Sequence, residues 1–265
     1  MTGGKVRGMT TRAEPPSLRG ASRDSSTRLE PEHRVSAHLG VDAAAYDAAI
    51  RRFIPGYEEM IAEVVSILDE ALDRGPAARA RVVDLGAGTG ALAGAILDAI
   101  PRARVVLVDI DPNMLAVAAA RVAPHGARAE VRCATFDDAL PALGDGGADA
   151  VVASLSLHHV PELDRKRALY ARIHGALAPG GVFLSADATV HEAGAERARV
   201  FREWAAGMAR AGIPAAEAES LFAQWAGEDR YYPLAVELDL LAAAGFARPE
   251  CFWKRGASTV FGGFR

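Results

Sequence analysis

The stretch Val82-Val83-Asp84-Leu85-Gly86-Ala87-Gly88-Thr89-Gly90 constrains the fold more than any other. An apolar, β-branched run there passes into three glycines at alternate positions and then into the alanine-rich residues 91–100. β-Branched residues favour a buried strand. Glycines permit the sharp turn and let the backbone approach a ligand closely, and a helix that starts on such a turn presents unpaired amide groups to that ligand. Strand, glycine turn and helix in immediate succession form the opening of a βαβ unit, which requires a parallel neighbour strand.

The rest of the chain repeats that alternation. Residues 81–85, 104–109, 130–134, 148–154 and 182–186 read as strands. Helices fall at residues 91–100, 112–122 and 164–177; Asp111 caps the second and Pro112 sits in its first turn, while Pro179-Gly180-Gly181 closes the third. A helix over residues 234–244, ended by Gly245, precedes two last strands at residues 249–253 and 259–264. Ahead of the first strand, a helical stretch starting at Val41 breaks at Pro55-Gly56. It resumes with Ile61, Val64, Val65, Leu68 and Leu72 on one face. The expected class is therefore α/β: a Rossmann-like, seven-stranded, mostly parallel sheet with helices on both faces and N-terminal helices before it. Residues 191–227 are helical and carry Phe201, Trp204, Met208, Leu221, Phe222 and Trp225. An insertion after the fifth strand lies near the carboxyl ends of the strands, where open α/β sheets bind ligands, so it is expected to form a lid.

Residues 1–36 are rich in Arg, Ser, Thr, Pro and Gly and lack apolar periodicity, so they are expected to be a disordered tail ahead of one domain over 37–265. An Arg- and Ser-rich tail also has the look of an organelle transit peptide. Composition excludes other classes. With 50% hydrophobic and 24% charged residues the chain is ordinary globular material. No apolar run reaches the ~18 residues of a membrane span. A net charge of -4 gives no general attraction to nucleic acid. Two cysteines, Cys133 and Cys251, make no metal or disulfide spacing and suit a reduced, cytoplasmic compartment.

Charge around the glycine loop decides what it binds. A Gly-x-Gly pattern alone would also fit a dinucleotide. Asp84, however, stands two residues before Gly86, where its carboxylate would repel a pyrophosphate and attract a cation. Asp109 ends the second strand, where an acid accepts hydrogen bonds from both hydroxyls of a ribose. A ribosyl group joined to a cationic amino-acid tail describes S-adenosylmethionine.

With the Asp109-Ile110-Asp111-Pro112 segment, the run Ala148 to Ser154 leading to Leu157-His158-His159, and the Pro179-Gly180-Gly181 turn, the chain from about Ala45 resembles the class I S-adenosylmethionine-dependent methyltransferases. The resemblance implies that Gly86, Ala87 and Gly88 line the methionine part and Asp84 holds its amino end. It further implies that Asp109 binds the ribose, Ile110 packs on the adenine, and Ser154 offers its carbonyl to the ammonium. Thr135 and Phe136 stand where such enzymes have an acid and an apolar residue at the adenine. Either Thr135 contributes through its backbone or Asp137 takes the acceptor role. Residues 53–57 are similar to a segment of carboxy-S-adenosylmethionine synthases, making Tyr57 a candidate for the cofactor's carboxylate, with Tyr46 and Arg52 weaker ones.

Methyl transfer from a sulfonium is an in-line displacement, so alignment and exclusion of water dominate and a base is optional. His158 and His159 are the candidate bases, with His191 a lesser one. Arg230 and Tyr231, with Tyr232, could meet the acceptor. The expected partner is a small-molecule acceptor and not a membrane or nucleic acid; a homodimer is left open. Two other readings remain: a carboxy-S-adenosylmethionine synthase or other cofactor-modifying relative, and a non-catalytic S-adenosylmethionine-binding protein. A synthase would need a cation for the extra carboxylate, for which Arg230 is the candidate. No metal ligand set is expected.

Overall fold

Hydrogen bonding joins seven strands in the order β3-β2-β1-β4-β5-β7-β6 in the computed structural model, which describes residue 1 and residues 41–73 and 79–265. Apart from residue 1, the expected tail, 1–36, lies outside the described residues. The strands are β1 (Ala80–Leu85), β2 (Ala103–Asp109), β3 (Ala129–Cys133), β4 (Ala148–Ser154), β5 (Leu177–Ala188), β6 (Ala247–Arg255) and β7 (Ser258–Phe264). β1 to β5 are parallel, and β7 runs antiparallel between β5 and β6. Nine α-helices are present among the described residues. They are α1 (Tyr46–Phe53), α2 (Tyr57–Ala71), α3 (Ala91–Ala99), α4 (Pro112–Val122), α5 (Phe136–Ala139), α6 (Leu163–Ala176), α7 (Gly194–Arg210), α8 (Ala215–Trp225) and α9 (Leu234–Ala243). The expected class holds.

Strands buried on both faces need apolar residues at every position, and β1 shows how they divide. Val82 packs with α2, α3 and the α7–α8 layer, whereas Val83 and Leu85 pack with α6 and α9 on the other side. Each such side chain contributes about 1.5–3 kcal/mol by leaving water. Asp111 caps α4 as expected, accepting from Asn113 N at 2.9 Å, with Pro112 in the first turn. No helix among the described residues is long and apolar enough to cross a membrane.

Element boundaries match closely except at β5. The expected Pro179-Gly180-Gly181 turn is absorbed into this strand as an irregularity. Ala148 pairs with Leu177 but Ala150 with Val182, so the extra residues bulge out, and the backbone of Arg265 pairs with Gly180 and Gly181. The inserted helical layer falls after β5, as α7 and α8, and packs on the N-terminal helices. Trp204 donates its indole N–H to the Phe53 carbonyl at 2.7 Å, and the Trp225 ring meets Phe53 edge-on. α7 comes so close that a Cβ on Gly207 would stand 2.3 Å from Pro55 Cγ.

Candidate functional site

β1 and β4 are neighbours whose following connections leave to opposite sides, and a crevice opens at their carboxyl ends. A cavity of about 520 Å³ occupies it, within the usual range for small-molecule sites. Its floor is the glycine loop. Gly86 adopts φ +72°, and a Cβ there would lie 2.3 Å from the Cβ of Ser156, so only glycine allows this approach. The loop is tied to β2: the amides of Gly86 and Ala87 donate to Val108 O, and the Gly88 amide donates to Asp109 Oδ2 at 2.8 Å. Asp109 Oδ1 accepts from the Asp111 amide at 2.9 Å. Each carboxylate oxygen can accept more than one hydrogen bond, so Asp109 keeps capacity for a ligand while fixing the loop.

Asp84 lines the same cavity at 1% exposure, and neither of its oxygens accepts a hydrogen bond of normal distance and angle, the Ala93 amide offering only a weak one. Burial, followed by the charge of Asp109, pushes its carboxyl up to about 7, with a partial offset from the Ala93 amide. A buried acceptor left in this way is expensive, so it marks a place for a donor or a cation. Asp109 is also raised by burial, against the amides that bond it.

The wall beyond β4 begins with strain. Leu155 takes φ +50°, an uncommon conformation for a non-glycine residue, and turns the chain so that Ser156 bonds Leu85 O at 2.8 Å and His158 enters the cavity wall. His158 is buried, its Nδ1 2.6 Å from Asp187 Oδ1. Asp187, near the end of β5, also accepts from the amides of Leu157, His158 and Ala188. Burial pushes His158 down, but the charges of Asp187 and Asp229 outweigh it and its pKa lies above the usual value. Asp187 goes the opposite way: burial would raise it, and His158 and Lys166 hold it below. Asp229 Oδ1 stands 3.7 Å from His158 Nε2 and 3.3 Å from His159 Nδ1, while the Tyr231 hydroxyl donates to Asp229 Oδ2.

The structure brings most of the expected residues to one cavity: Tyr57, Asp84, Gly86, Ala87, Gly88, Asp109, Ile110, Phe136, Ser154, His158, His159 and Tyr231, together with Tyr46. Thr135 is not among its walls; it caps α5, accepting from the Asp138 amide at 3.1 Å. Asp137 is paired with Arg172, and Arg52 bonds the carbonyls of Ala211 and Gly212. Arg230 lines a separate outer cavity with Arg197, Glu192 and His158's neighbour wall Asp229–Tyr231; its amide donates to His158 O. Sequence reasoning missed Asp187 and Asp229 as lining or supporting residues, and named Trp204 and Trp225 in the expected lid without assigning them to the cavity wall. Asp187 could have been found, because an acid at the end of an otherwise apolar strand repeats the pattern of Asp109.

Titratable acids and bases lining the cavity include six carboxyl groups (Asp84, Asp109, Asp111, Glu162, Glu228 and Asp229), one guanidinium, Arg165, and two imidazoles, His158 and His159. Residues 82–181 match the profile of a methyltransferase domain family. The chain is 31% identical over 153 residues to a ribosomal RNA small subunit methyltransferase H from Saccharopolyspora erythraea, covering 55% of this chain and 45% of that protein. It is 29% identical over 147 residues to a carboxy-S-adenosyl-L-methionine synthase from Chromohalobacter salexigens, covering 56% and 53%. The chain thus spans about half the length of these curated relatives. Among solved structures it resembles the carbon methyltransferase CurJ (TM-score 0.58, 17% identity, 77% of this chain and 54% of that one). It also resembles PigF crystallised with SAH (TM-score 0.51, 20% identity, 83% and 64%).

Proposed function

Because this chain carries a methyltransferase domain of the class I, S-adenosylmethionine-dependent kind, we propose that its cavity binds S-adenosylmethionine and directs the methyl group to a small-molecule acceptor. The observation that carries this reading is the sign of the cavity: six carboxyl groups against one guanidinium and two imidazoles suit a ligand with a sulfonium and an ammonium and repel a diphosphate.

The residues present fit the cofactor. Asp84, buried and without a hydrogen bond of normal distance and angle, is placed to receive the ammonium, with the Ser154 carbonyl beside the same cavity. Asp109, at the end of β2, has acceptor capacity left for the ribose hydroxyls. Ile110, Met114 and Phe136 supply the apolar wall for a base, Gly86, Ala87 and Gly88 its floor, and Tyr57 closes the methionine end from α2. Thr135 acts indirectly, by capping the helix that carries Phe136. When bound, S-adenosylmethionine supplies an electrophilic methyl group. The chain's part is to hold the acceptor in line with it and to keep water out.

The acceptor end is built from His158, His159, Asp229, Tyr231, Trp204 and Trp225. Two indoles and a phenol around a small polar cluster suit an apolar or aromatic molecule with one polar reacting group. The α7–α8 layer covers this end and acts as the lid; the outer cavity, which holds Arg230 and Arg197, shares Asp229 and Tyr231 with it. The carboxy-S-adenosylmethionine synthase reading has less support. Its extra carboxylate needs a cation; the candidate Arg230 lies in the outer cavity and Arg52 is taken up by carbonyls, which leaves Arg165, 3.9 Å from Glu162, as the guanidinium lining the cavity.

The test is release of S-adenosylhomocysteine on incubation with S-adenosylmethionine and a panel of small hydroxylated, aminated and carbon-acid aromatic acceptors. Acceptor-dependent release is expected. Release with RNA or protein and with none of the small molecules would contradict the reading.

A further inference from the structure

Three atoms of ligand type converge at the acceptor end. One atom from each of His158, His159 and Asp229 lies within 4.8 Å of the other two, and Asp229 Oδ1 is 3.3 Å from His159 Nδ1 and 3.7 Å from His158 Nε2. A divalent ion bonded at about 2.1 Å to each of its ligands holds neighbouring ligands roughly 3 to 3.5 Å apart, so the two separations to Asp229 are close to what a shared ion needs, and the pair of imidazoles, within 4.8 Å, would have to draw together.

The surroundings are those of a held ligand set. The other nitrogen of His158 bonds Asp187 at 2.6 Å, which fixes the ring and aims Nε2; a carboxylate behind an imidazole is the usual support of a metal-bound histidine. Asp187 is itself fixed by the amides of Leu157, His158 and Ala188. The Tyr231 hydroxyl occupies Asp229 Oδ2, leaving Oδ1 turned to the two imidazoles. The cavity's excess of carboxylates favours any cation placed there.

We propose that His158, His159 and Asp229 form a binding site for one divalent transition-metal ion, with Asp187 as the positioning residue behind His158. Two imidazoles and one carboxylate suit zinc, manganese or iron better than magnesium or calcium, which prefer oxygen throughout. Three protein ligands leave a coordination position facing the cavity. On the methyl-transfer reading, an oxygen or nitrogen of the acceptor would take that position, and the two histidines would act through the ion and not as bases. The site itself does not depend on that reading.

The full chain, stripped of metal with a chelator, is titrated with Co²⁺ and followed by visible absorption, with Zn²⁺ and Mg²⁺ as competitors. One equivalent of Co²⁺ is expected to give a visible band that Zn²⁺ displaces and Mg²⁺ does not. His159→Ala and Asp229→Asn should each abolish it, and Asp187→Asn should weaken binding about 10- to 100-fold. Thermal unfolding shows that each variant is folded, and S-adenosylmethionine binding, measured separately, tests the cofactor reading without the metal. A parent protein that takes up no Co²⁺, or a band that survives in both His159→Ala and Asp229→Asn, would overturn the proposal. The two carboxylates of Asp187 and Asp229 would then simply orient the His158 ring.

Discussion

Burial and the charge of Asp109 both oppose ionisation of Asp84 and push its carboxyl up to about 7, well above the ordinary carboxylate range. Its native state therefore holds a proton that the unfolded chain has lost between about pH 4 and pH 7, and stability falls as pH rises through that window. Asp84→Asn is expected to stabilise the fold by about 1–3 kcal/mol above pH 7, measured by urea unfolding, while lowering cofactor affinity at least about tenfold. In the parent protein, calorimetry should show cofactor affinity decline as pH drops below about 7, since protonation removes the charge that the ammonium needs. Asp109→Ala should cost about 1–3 kcal/mol of cofactor affinity, and unchanged binding would place the ribose elsewhere. Asp84 and the glycine loop were legible in the sequence because they are contiguous, and Asp109 because it ends a strand that the β-branched run Val105-Val106-Leu107-Val108 marks locally. Asp187 and Asp229 were not, because they reach His158 from 29 and 71 positions away, and only the fold brings them together. Thr135 was read as a cofactor contact, but a threonine ahead of Phe136-Asp137-Asp138 is equally the start of a helix, and capping won.

At the level of elements, α1 is fastened to the glycine loop by one acid. Asp47 accepts from the Thr89 hydroxyl at 2.6 Å and pairs with Arg121 of α4, whose Nε donates to the Thr89 carbonyl. α1 brings Tyr46 and Ile50 to the cavity, so the latch couples the N-terminal helix to the floor. Asp47→Asn should speed hydrogen exchange in α1 and weaken cofactor binding by about three- to tenfold, a loss that Asp47→Glu restores in part. Trp204 fastens α7 to the same helices, and Trp204→Ala should cost about 3–5 kcal/mol in urea unfolding. Most strands were readable from short apolar runs, rich in β-branched residues in β1, β2 and β4, that alternate with helical patterns. The fifth strand was read at residues 182–186 but its start at Leu177 was not, because Pro179-Gly180-Gly181 carries turn chemistry, yet pairing with the distant Arg265 holds it in the sheet. That pairing depends on the last strands and cannot be seen locally.

Across the whole molecule, the strand order places two carboxylates under a glycine loop and roofs them with two helical layers, one from before β1 and one from after β5. The central claim concerns charge: this crevice is built for a cationic nucleoside. Titration calorimetry of the full chain with S-adenosylmethionine, S-adenosylhomocysteine and NAD at pH 8 tests it most directly. The account predicts stoichiometric binding of the first two, weakened by Asp84→Asn, and no heat with NAD; tighter binding of NAD than of S-adenosylmethionine would contradict it.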